Sequence, residues 1–263
     1  MKPTLDFVKE ISLHAGEILQ SFIGHEMDIQ HKGRTDLVTK ADKASEDFLI
    51  QTIRKTFPDH AINTEESGEL DGNHDHQWFI DPLDGTLNYA HGVPFYCVSV
   101  AYAFQGELAL GVVYDPTREE CFYAERGHGA ELNGQPIQVS NFEDLIDCML
   151  LTGFPNNKWG SPTDNTNNFL SFSQVSQTVR RLGSAALAIA YVAAGRLDGF
   201  WEVEINQWDV AAGGLIAREA GAVVTDVYGD SDFLRKPVTM VGANPTIHKQ
   251  MLDVLAEVRT AKS

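Results

Sequence analysis

Two aspartates three residues apart, Asp81 and Asp84, lie in the stretch IDPLDGT at residues 80–86. Aspartate, proline and glycine are ordinary turn residues, so the stretch alone is equally compatible with a plain turn. The pair also directly follows the apolar run at residues 78–80, which predicts a buried strand. Carboxylates at a strand end are held rigidly yet remain accessible, and they are ligands that a hard cation such as Mg²⁺ prefers.

Further acidic residues occupy comparable positions elsewhere in the chain. Glu65 and Glu66 follow a predicted strand at residues 61–63, whereas Asp42 and Asp209 each open a predicted helix. Taken singly, each has a simpler explanation, since loop charges are common and aspartate favours the positive end of a helix dipole. Taken together, they predict one cluster of oxygen ligands for Mg²⁺, which usually combines carboxylates with water and substrate phosphate.

A candidate phosphate site follows the second aspartate. Gly85 and Thr86 are expected to begin a short helix that continues through Tyr89. The free backbone N–H groups at the start of a helix bind anions such as phosphate. Metal ligands beside an anion site therefore indicate phosphoryl chemistry.

The remaining sequence predicts the elements that must position these residues. Apolar residues recur at helical spacing over about residues 7–22, with Thr4 as a cap, and over about residues 42–57. Alternating apolar stretches broken by turn residues between 95 and 139 predict an antiparallel meander. The second half predicts helices near 165–179, 184–195, 208–220 and 245–258, and strands near 198–203, 222–227 and 238–243.

Two segments are predicted without regular structure. Residues 65–77 form a predicted polar loop, and residues 155–168, rich in Asn, Ser, Thr and Pro, are expected to be a mobile connection. The pattern as a whole predicts a mixed α/β fold in which helices cover layered sheets.

Composition restricts the class of protein. The 263 residues are 43% hydrophobic and 22% charged, as in globular proteins with a large core. The formal charge of −17 argues against direct binding of nucleic acid, which needs a basic face. Three widely spaced cysteines without a C-x-x-C pattern predict reduced thiols and a cytoplasmic protein. We expect no secretory leader, and no apolar run approaches the roughly 18 residues of a membrane span.

Four motifs resemble those of the inositol monophosphatase family and occur in the family's order. Residues 78–89 resemble its first signature, and residues 208–213 with 219–222 resemble its second. Residues 36–42 and 64–70 are similar to two further motifs, so the resemblance covers essentially the whole chain. Residues 180–186 and 191–196 resemble the bacterial SuhB-type members in particular.

The resemblance implies a fold and a domain organisation. The expected fold is of the sugar-phosphatase type, an αβαβα sandwich in which helix and sheet layers alternate. Residues 1–263 would form a single domain, with a metal and phosphate half at 1–145 and a substrate-side half at 146–263.

The resemblance also implies the metal ligands. Glu65, Asp81 and the backbone carbonyl of Leu83 would hold one Mg²⁺. Asp81 would bridge to a second ion, held also by Asp84 and Asp209. A third, weaker Mg²⁺ would share Glu65.

The remaining site residues follow from the same matches. The phosphate would lie on the Gly85 and Thr86 amides, and the attacking water would be oriented by the Thr86 hydroxyl and Asp42. Glu66 would be an outer partner of the catalytic group. The substrate alcohol would contact a set on the other side of the site: Gly183, Ser184, Ala185, Glu202 and Asp209.

The implied activity is Mg²⁺-dependent, lithium-sensitive hydrolysis of myo-inositol monophosphate or a similar polyol phosphate by direct attack of water. Related phosphatases act on fructose 1,6-bisphosphate or nucleotide 3′-phosphates, so the substrate stays open. A homodimer is expected, with apolar residues at 95–104 and 165–175 on its surface.

Two other hypotheses remain. Haloacid dehalogenase phosphatases use D-x-D-G-T with an aspartyl nucleophile, but here two residues separate Asp81 from Asp84, which would misplace the second acid. SuhB-type relatives also act as partners of the transcription antitermination machinery, which makes a binding protein the second hypothesis. A covalent aspartyl-phosphate would identify the first alternative.

Overall fold

The computed structural model describes residues 1–24, 30–31, 37–154 and 164–261. The described part of the chain contains seven α-helices: α1 Leu5–Ser21, α2 Lys40–Thr56, α3 Thr86–Ala90, α4 Thr166–Val175, α5 Ala185–Ala193, α6 Gln207–Glu219 and α7 Pro245–Ala261. A single 3₁₀ turn is also described, at Leu145–Asp147.

Fifteen strands accompany these helices in the same described ranges. They are β1 Gln30–His31, β2 Leu37–Val38, β3 His60–Thr64, β4 Gly68–Leu70, β5 Asn73–Asp84, β6 Cys97–Phe104, β7 Glu107–Asp115, β8 Glu120–Glu125, β9 Ala130–Leu132, β10 Gln135–Pro136, β11 Met149–Thr152, β12 Thr178–Arg180, β13 Gly199–Glu202, β14 Val223–Thr225 and β15 Met240–Ala243.

Two large sheets organise the strands, beside the small pair β1–β2. The first sheet has eight strands in the order β10-β9-β8-β7-β6-β5-β3-β4, with β3 and β5 parallel and the meander from β5 to β10 antiparallel. The second has five strands in the order β12-β11-β13-β15-β14, with β11 parallel to both of its neighbours.

The layers alternate as the resemblance implied. Helices α1 and α2 cover one face of the eight-stranded sheet, and α5 and α6 fill the space between the two sheets. Helices α4 and α7 cover the outer face of the five-stranded sheet. The αβαβα sandwich is therefore confirmed.

The sequence pattern of each helix explains its layer. Helix α1 begins at Thr4, whose hydroxyl accepts a hydrogen bond from the Phe7 N–H at 3.2 Å, and it buries only one stripe. Its polar opposite face stays in solvent, as expected of an outer helix. Helix α5 reads AALAIAYVA and is apolar all round, which suits a helix enclosed between two sheets.

Some sequence predictions differ from the structure. The predicted polar loop at 65–77 contains β4 and the start of β5, because both segments pair with β3, with β4 at the sheet edge and β5 inside the sheet. The predicted helix at 165–179 ends at Val175, and β12 follows as an edge strand beside β11. The predicted mobile connection begins with residues 155–163, which lie outside the described residues, and it ends inside α4.

The prediction that residues 95–104 form part of an apolar dimer surface is wrong. Strand β6 lies in the middle of the eight-stranded sheet, and most of its side chains are buried. The other expected surface is exposed in part, since Leu170 and Val175 on α4 face solvent. The three cysteines are free and buried, as expected. None of the helices in the described ranges combines the length and apolar character needed to cross a membrane.

A close contact fixes α6 against the sheet. A Cβ atom at Gly111 of β7 would lie 2.9 Å from the Ala212 carbonyl oxygen and 3.2 Å from its Cα atom. Only glycine therefore allows this approach of helix to strand. The contact matters for the candidate site because the first turn of α6 carries Asp209.

We expect Gly111→Ala to push α6 outward and to lower the free energy of unfolding by about 1–3 kcal/mol. Gly242→Ala in β15 is the control, because its Cβ would meet its nearest neighbours at 3.7 Å, an ordinary contact. Urea unfolding midpoints of both variants measure the difference. Equal losses in the two variants would contradict the role of this contact.

Candidate active site

A cavity of about 230 Å³ opens where the ends of β3 and β5 meet the first turns of α5 and α6. The structure brings eleven of the predicted site residues to its wall: Glu65, Asp81, Leu83, Asp84, Gly85, Thr86, Gly183, Ser184, Ala185, Glu202 and Asp209. Asp42 and Glu66 do not line the cavity. Asp42 bonds Thr86 of its wall, and the Glu66 N–H bonds Glu46 in the turn that carries Glu65.

Asp81 and Asp84, predicted to lie in a turn after the strand, instead lie at the irregular end of β5. The Asp81 carboxylate accepts a hydrogen bond from the Leu83 N–H at 3.0 Å, and the pairing of β5 with β6 shifts register between Asp81 and Asp84. Such an irregularity re-aims side chains that a regular strand would send to opposite faces. Gly85 then adopts φ of +99°, a conformation that favours glycine, and starts α3.

Asp84 joins the two halves of the cavity. Its Oδ2 atom accepts hydrogen bonds from the Ser184 hydroxyl and the Ala186 N–H, both at 2.6 Å. These donors lie at the start of α5, where free N–H groups and the helix dipole favour a negative charge. One carboxylate thus contacts the acidic cluster and the predicted substrate segment together.

Asp42 supports Thr86 from behind the wall. The Thr86 hydroxyl lies 3.0 Å from Asp42 Oδ1 and 3.0 Å from the Leu83 carbonyl oxygen. Asp42 Oδ2 is held by the Thr39 N–H at 2.8 Å and by the Thr39 hydroxyl at 2.5 Å, a capping box at the start of α2. Burial raises the pKa of the Asp42 carboxyl.

Glu46 supports the candidate site from α2 and was not predicted from the sequence. Its buried carboxylate accepts four hydrogen bonds, from the hydroxyls of Thr64 and Ser67 at 2.6 Å each and from the N–H groups of Glu66 and Ser67 at 3.0 and 3.2 Å. It therefore fixes the turn that carries Glu65. The available signal was its place one turn after Asp42 on the inward stripe of α2.

Arg181 and Phe154 also line the cavity and were not predicted as site residues. The Arg181 guanidinium lies 5.4 Å from the centroid of the Phe154 ring. The Asn88 amide donates to the carbonyl oxygens of Phe95 and Leu182, both at 2.7 Å, and ties this side of the cavity to the turn that begins α3.

Burial dominates the electrostatics of the acids. It raises the pKa of Asp81, Asp84 and Glu202, and it raises the pKa of Asp209 to about 7. Neighbouring carboxylates add to the effect, since Glu65, Asp84 and Asp209 all raise the pKa of Asp81. A bound cation would reduce the free-energy cost of ionising each of these buried, mutually repelling carboxylates.

The donor set fits a hard divalent cation. It offers carboxylates and the Leu83 carbonyl oxygen, which are the ligand types that Mg²⁺ takes. In the described ranges no group of three or more acidic, histidine or cysteine side chains is placed to hold a metal ion, so binding would require these carboxylates to move closer together. Some carboxylate oxygens are instead bonded to the protein, such as Asp209 Oδ2 to the Asn206 N–H at 2.8 Å.

Comparison with known proteins identifies close relatives. A model of the inositol monophosphatase family matches residues 1–261. Nus factor SuhB of Pasteurella multocida is 43% identical over 256 residues, 96% of each chain. Inositol-1-monophosphatase of Synechocystis sp. is 43% identical over 255 residues, 96% of this chain and 88% of the relative. The crystal structure of extragenic suppressor protein SuhB from Bartonella henselae has a TM-score of 0.89 and 38% identity over 95% of this chain and 97% of its own.

We expect the stability of the metal-free protein to fall as pH rises from about 4 to above 7. The raised carboxyl pKa values, including about 7 for Asp209, mean that the folded state holds protons more tightly than the unfolded state in this range. Mg²⁺ binds the deprotonated acids, so its stabilising effect should grow with pH.

Thermal unfolding at about pH 5 and pH 8, with Mg²⁺ or with a chelator, measures both effects. Asp209→Asn removes one of the repelling acids, so its metal-free stability should depend less on pH than that of the wild type. An equal shift by Mg²⁺ at both pH values would contradict the expectation.

Proposed function

Because the chain belongs to the inositol monophosphatase family, we propose that it is a Mg²⁺-dependent phosphomonoesterase acting on myo-inositol monophosphate or a similar polyol phosphate. The observation that carries the proposal is the convergence of Glu65, Asp81, Asp84 and Asp209 on one cavity that also contains the start of α3. Acids alone would repel a phosphate, so this arrangement suits phosphoryl chemistry only together with cations.

The metals would bind to the acidic wall, which we define as the side of the cavity formed by Glu65, Asp81, Asp84 and Asp209. Glu65, Asp81 and the Leu83 carbonyl would hold one ion, and Asp81, Asp84 and Asp209 a second, with a third sharing Glu65. When bound, they supply positive charge that neutralises the phosphate and stabilises its leaving oxygen.

The chain's own groups position phosphate and water. Gly85 and Thr86 line the cavity, and their N–H groups would bind the phosphate oxygens. The Thr86 hydroxyl has Asp42 and the Leu83 carbonyl as its acceptors, so its lone pairs remain to accept a hydrogen bond from a water. Thr86 thereby orients that water for in-line attack. As the water oxygen bonds to phosphorus, its proton passes to the Thr86 hydroxyl, whose own proton passes to Asp42 Oδ1, the acceptor at 3.0 Å. Glu66 would be an outer partner of this group.

The opposite wall would receive the alcohol. Gly183, Ser184 and Ala185 present the start of α5, and the Glu202 carboxylate offers acceptors for hydroxyl groups. Of the described residues lining the cavity, Arg181 is the only cation. A neutral polyol therefore suits this wall better than a second phosphate group.

The proposal includes a homodimer, a cytoplasmic location and inhibition by Li⁺. Exposed Leu170 and Val175 on α4 offer an apolar contact for a homodimer. The free, buried cysteines support a reducing compartment such as the cytoplasm. Inhibition by Li⁺ is expected through competition at the acidic wall.

Phosphate release from myo-inositol 1-phosphate, fructose 1,6-bisphosphate and a nucleotide 3′-phosphate tests the activity. We expect Mg²⁺-dependent turnover, fastest on the inositol ester, that a chelator abolishes. Asp209→Asn should lower kcat by about 100-fold or more, as for loss of a charge-stabilising group. Asp253→Asn, an exposed acid on α7, is the matched control.

Absence of Mg²⁺-dependent turnover on every substrate would overturn the enzyme proposal. A phosphoryl group trapped on Asp81 or Asp84 would instead favour an aspartyl nucleophile, because direct attack by water forms no such intermediate.

A second candidate function is binding within the transcription antitermination machinery. The observation that favours it is 43% identity to a protein named Nus factor SuhB. If binding is the cellular role, Asp84→Asn protein should rescue the phenotype of a strain lacking this chain as well as the wild type does. Failure of a stably folded Asp84→Asn protein to rescue would contradict the binding role and favour catalysis.

A further inference from the structure

Gly153 and Glu202 meet on the alcohol side of the cavity. In the parallel pairing of β11 with β13, Thr152 lies opposite Trp201, so the next residues, Gly153 and Glu202, are also neighbours. A Cβ atom at Gly153 would lie 2.4 and 2.5 Å from the two carboxylate oxygens of Glu202. The Glu202 side chain therefore occupies the space that any larger residue at 153 would need.

A buried polar network holds Gly153 in this place. The Asn165 side-chain amide donates to the Gly153 carbonyl oxygen and to the Thr152 hydroxyl, both at 2.7 Å. The Asn165 Oδ1 atom accepts from the Trp201 indole N–H at 2.9 Å, and Asn165 is fully buried. The Thr152 hydroxyl lies 2.7 Å from the Trp201 carbonyl oxygen. The backbone at 153 thus has little freedom to retreat from a new side chain.

Glu202 lines the cavity from within its wall. The residue is only 8% exposed, so most of its side chain is withdrawn into that wall. Phe154, with Arg181 beside its ring, lines the cavity next to Gly153. This pair and the recessed acid therefore line the same cavity.

We propose that Gly153 is a specificity-determining residue, whose missing side chain lets Glu202 recede and so admits a ring-shaped polyol. This inference rests on the proposed phosphatase function and adds a residue that governs its choice between cyclic and acyclic polyol monophosphates. A larger residue at 153 forces the Glu202 carboxylate into the cavity, where it excludes a six-membered ring but spares a short acyclic alcohol.

The test compares Gly153→Ala with wild type on myo-inositol 1-phosphate and on glycerol 2-phosphate, at saturating Mg²⁺. We expect kcat/KM for the inositol ester to fall by about tenfold or more, because the overpacking falls on the bound ring. The fall for the glycerol ester should be less than about threefold. Unchanged Mg²⁺ dependence and melting temperature would show that the acidic wall and the fold are intact.

A double variant separates this steric role from a general structural one. Glu202→Asp shortens the acid and makes room beside a Cβ at 153. Glu202→Asp should therefore raise inositol selectivity in the Gly153→Ala background although it lowers selectivity in the wild type, a non-additivity typical of contacting residues.

Three results would overturn the inference. Two of them reject only the steric role of Gly153, and the third rejects the phosphatase function as well. Equal losses on both esters, or additive effects of the two substitutions, remove the steric role while leaving the phosphatase intact. A wild-type protein that hydrolyses neither ester removes the proposed function, and the selectivity with it.

Discussion

Mutual repulsion and dehydration of several carboxylates in one cavity is the constraint on which this structure depends. Burial raises the pKa of Asp81, Asp84, Glu202 and Asp209, so the folded protein keeps these acids close at a cost in free energy. That cost persists only because the rest of the fold determines where each acid lies. Functional sites in general carry such unfavourable local arrangements, supported by the structure around them.

Each acid is held by a different element, and the elements are held by close packing. The first turns of α5 and α6 provide favourable dipoles for Asp84 and Asp209, and α2 holds the turns behind the cavity. The Ser45 hydroxyl of α2 donates to the Pro82 carbonyl oxygen at 3.0 Å, which adds a further support. Three layers of the sandwich therefore meet at one point, and the cavity forms between them.

The sequence predicted the local features of the site only in part. The spacing of Asp81 and Asp84 around Pro82 indicated a turn with two accessible acids. The structure instead keeps both acids within β5, at its irregular end, and buries them; only Gly85, with its positive φ, leaves the strand to start α3. Helices with one apolar stripe, such as α1, were predictable, because their periodicity directly reflects burial. The resemblance to a family supplied the layer order that periodicity alone left open.

Features that depend on distant contacts could not be predicted in the same way. Glu46 looks like a surface acid in sequence, and only the fold places Thr64 and Ser67 around its carboxylate. Gly153 lacks any local signal, because its neighbour Glu202 belongs to a strand that pairs with β11 through tertiary structure. The edge strand β12 was mistaken for the end of a helix, since short polar strands have little pattern of their own.

The bond from Asp84 to the start of α5 has a thermodynamic consequence. One carboxylate is shared between the acidic wall and the segment that would contact the alcohol. An ion bound to the Asp84 carboxylate would weaken its hydrogen bonds to the start of α5. An alcohol that displaced these hydrogen bonds would in turn increase the negative charge available to the ion. By linkage, the ion and the organic part of the ligand must alter each other's affinity by the same factor.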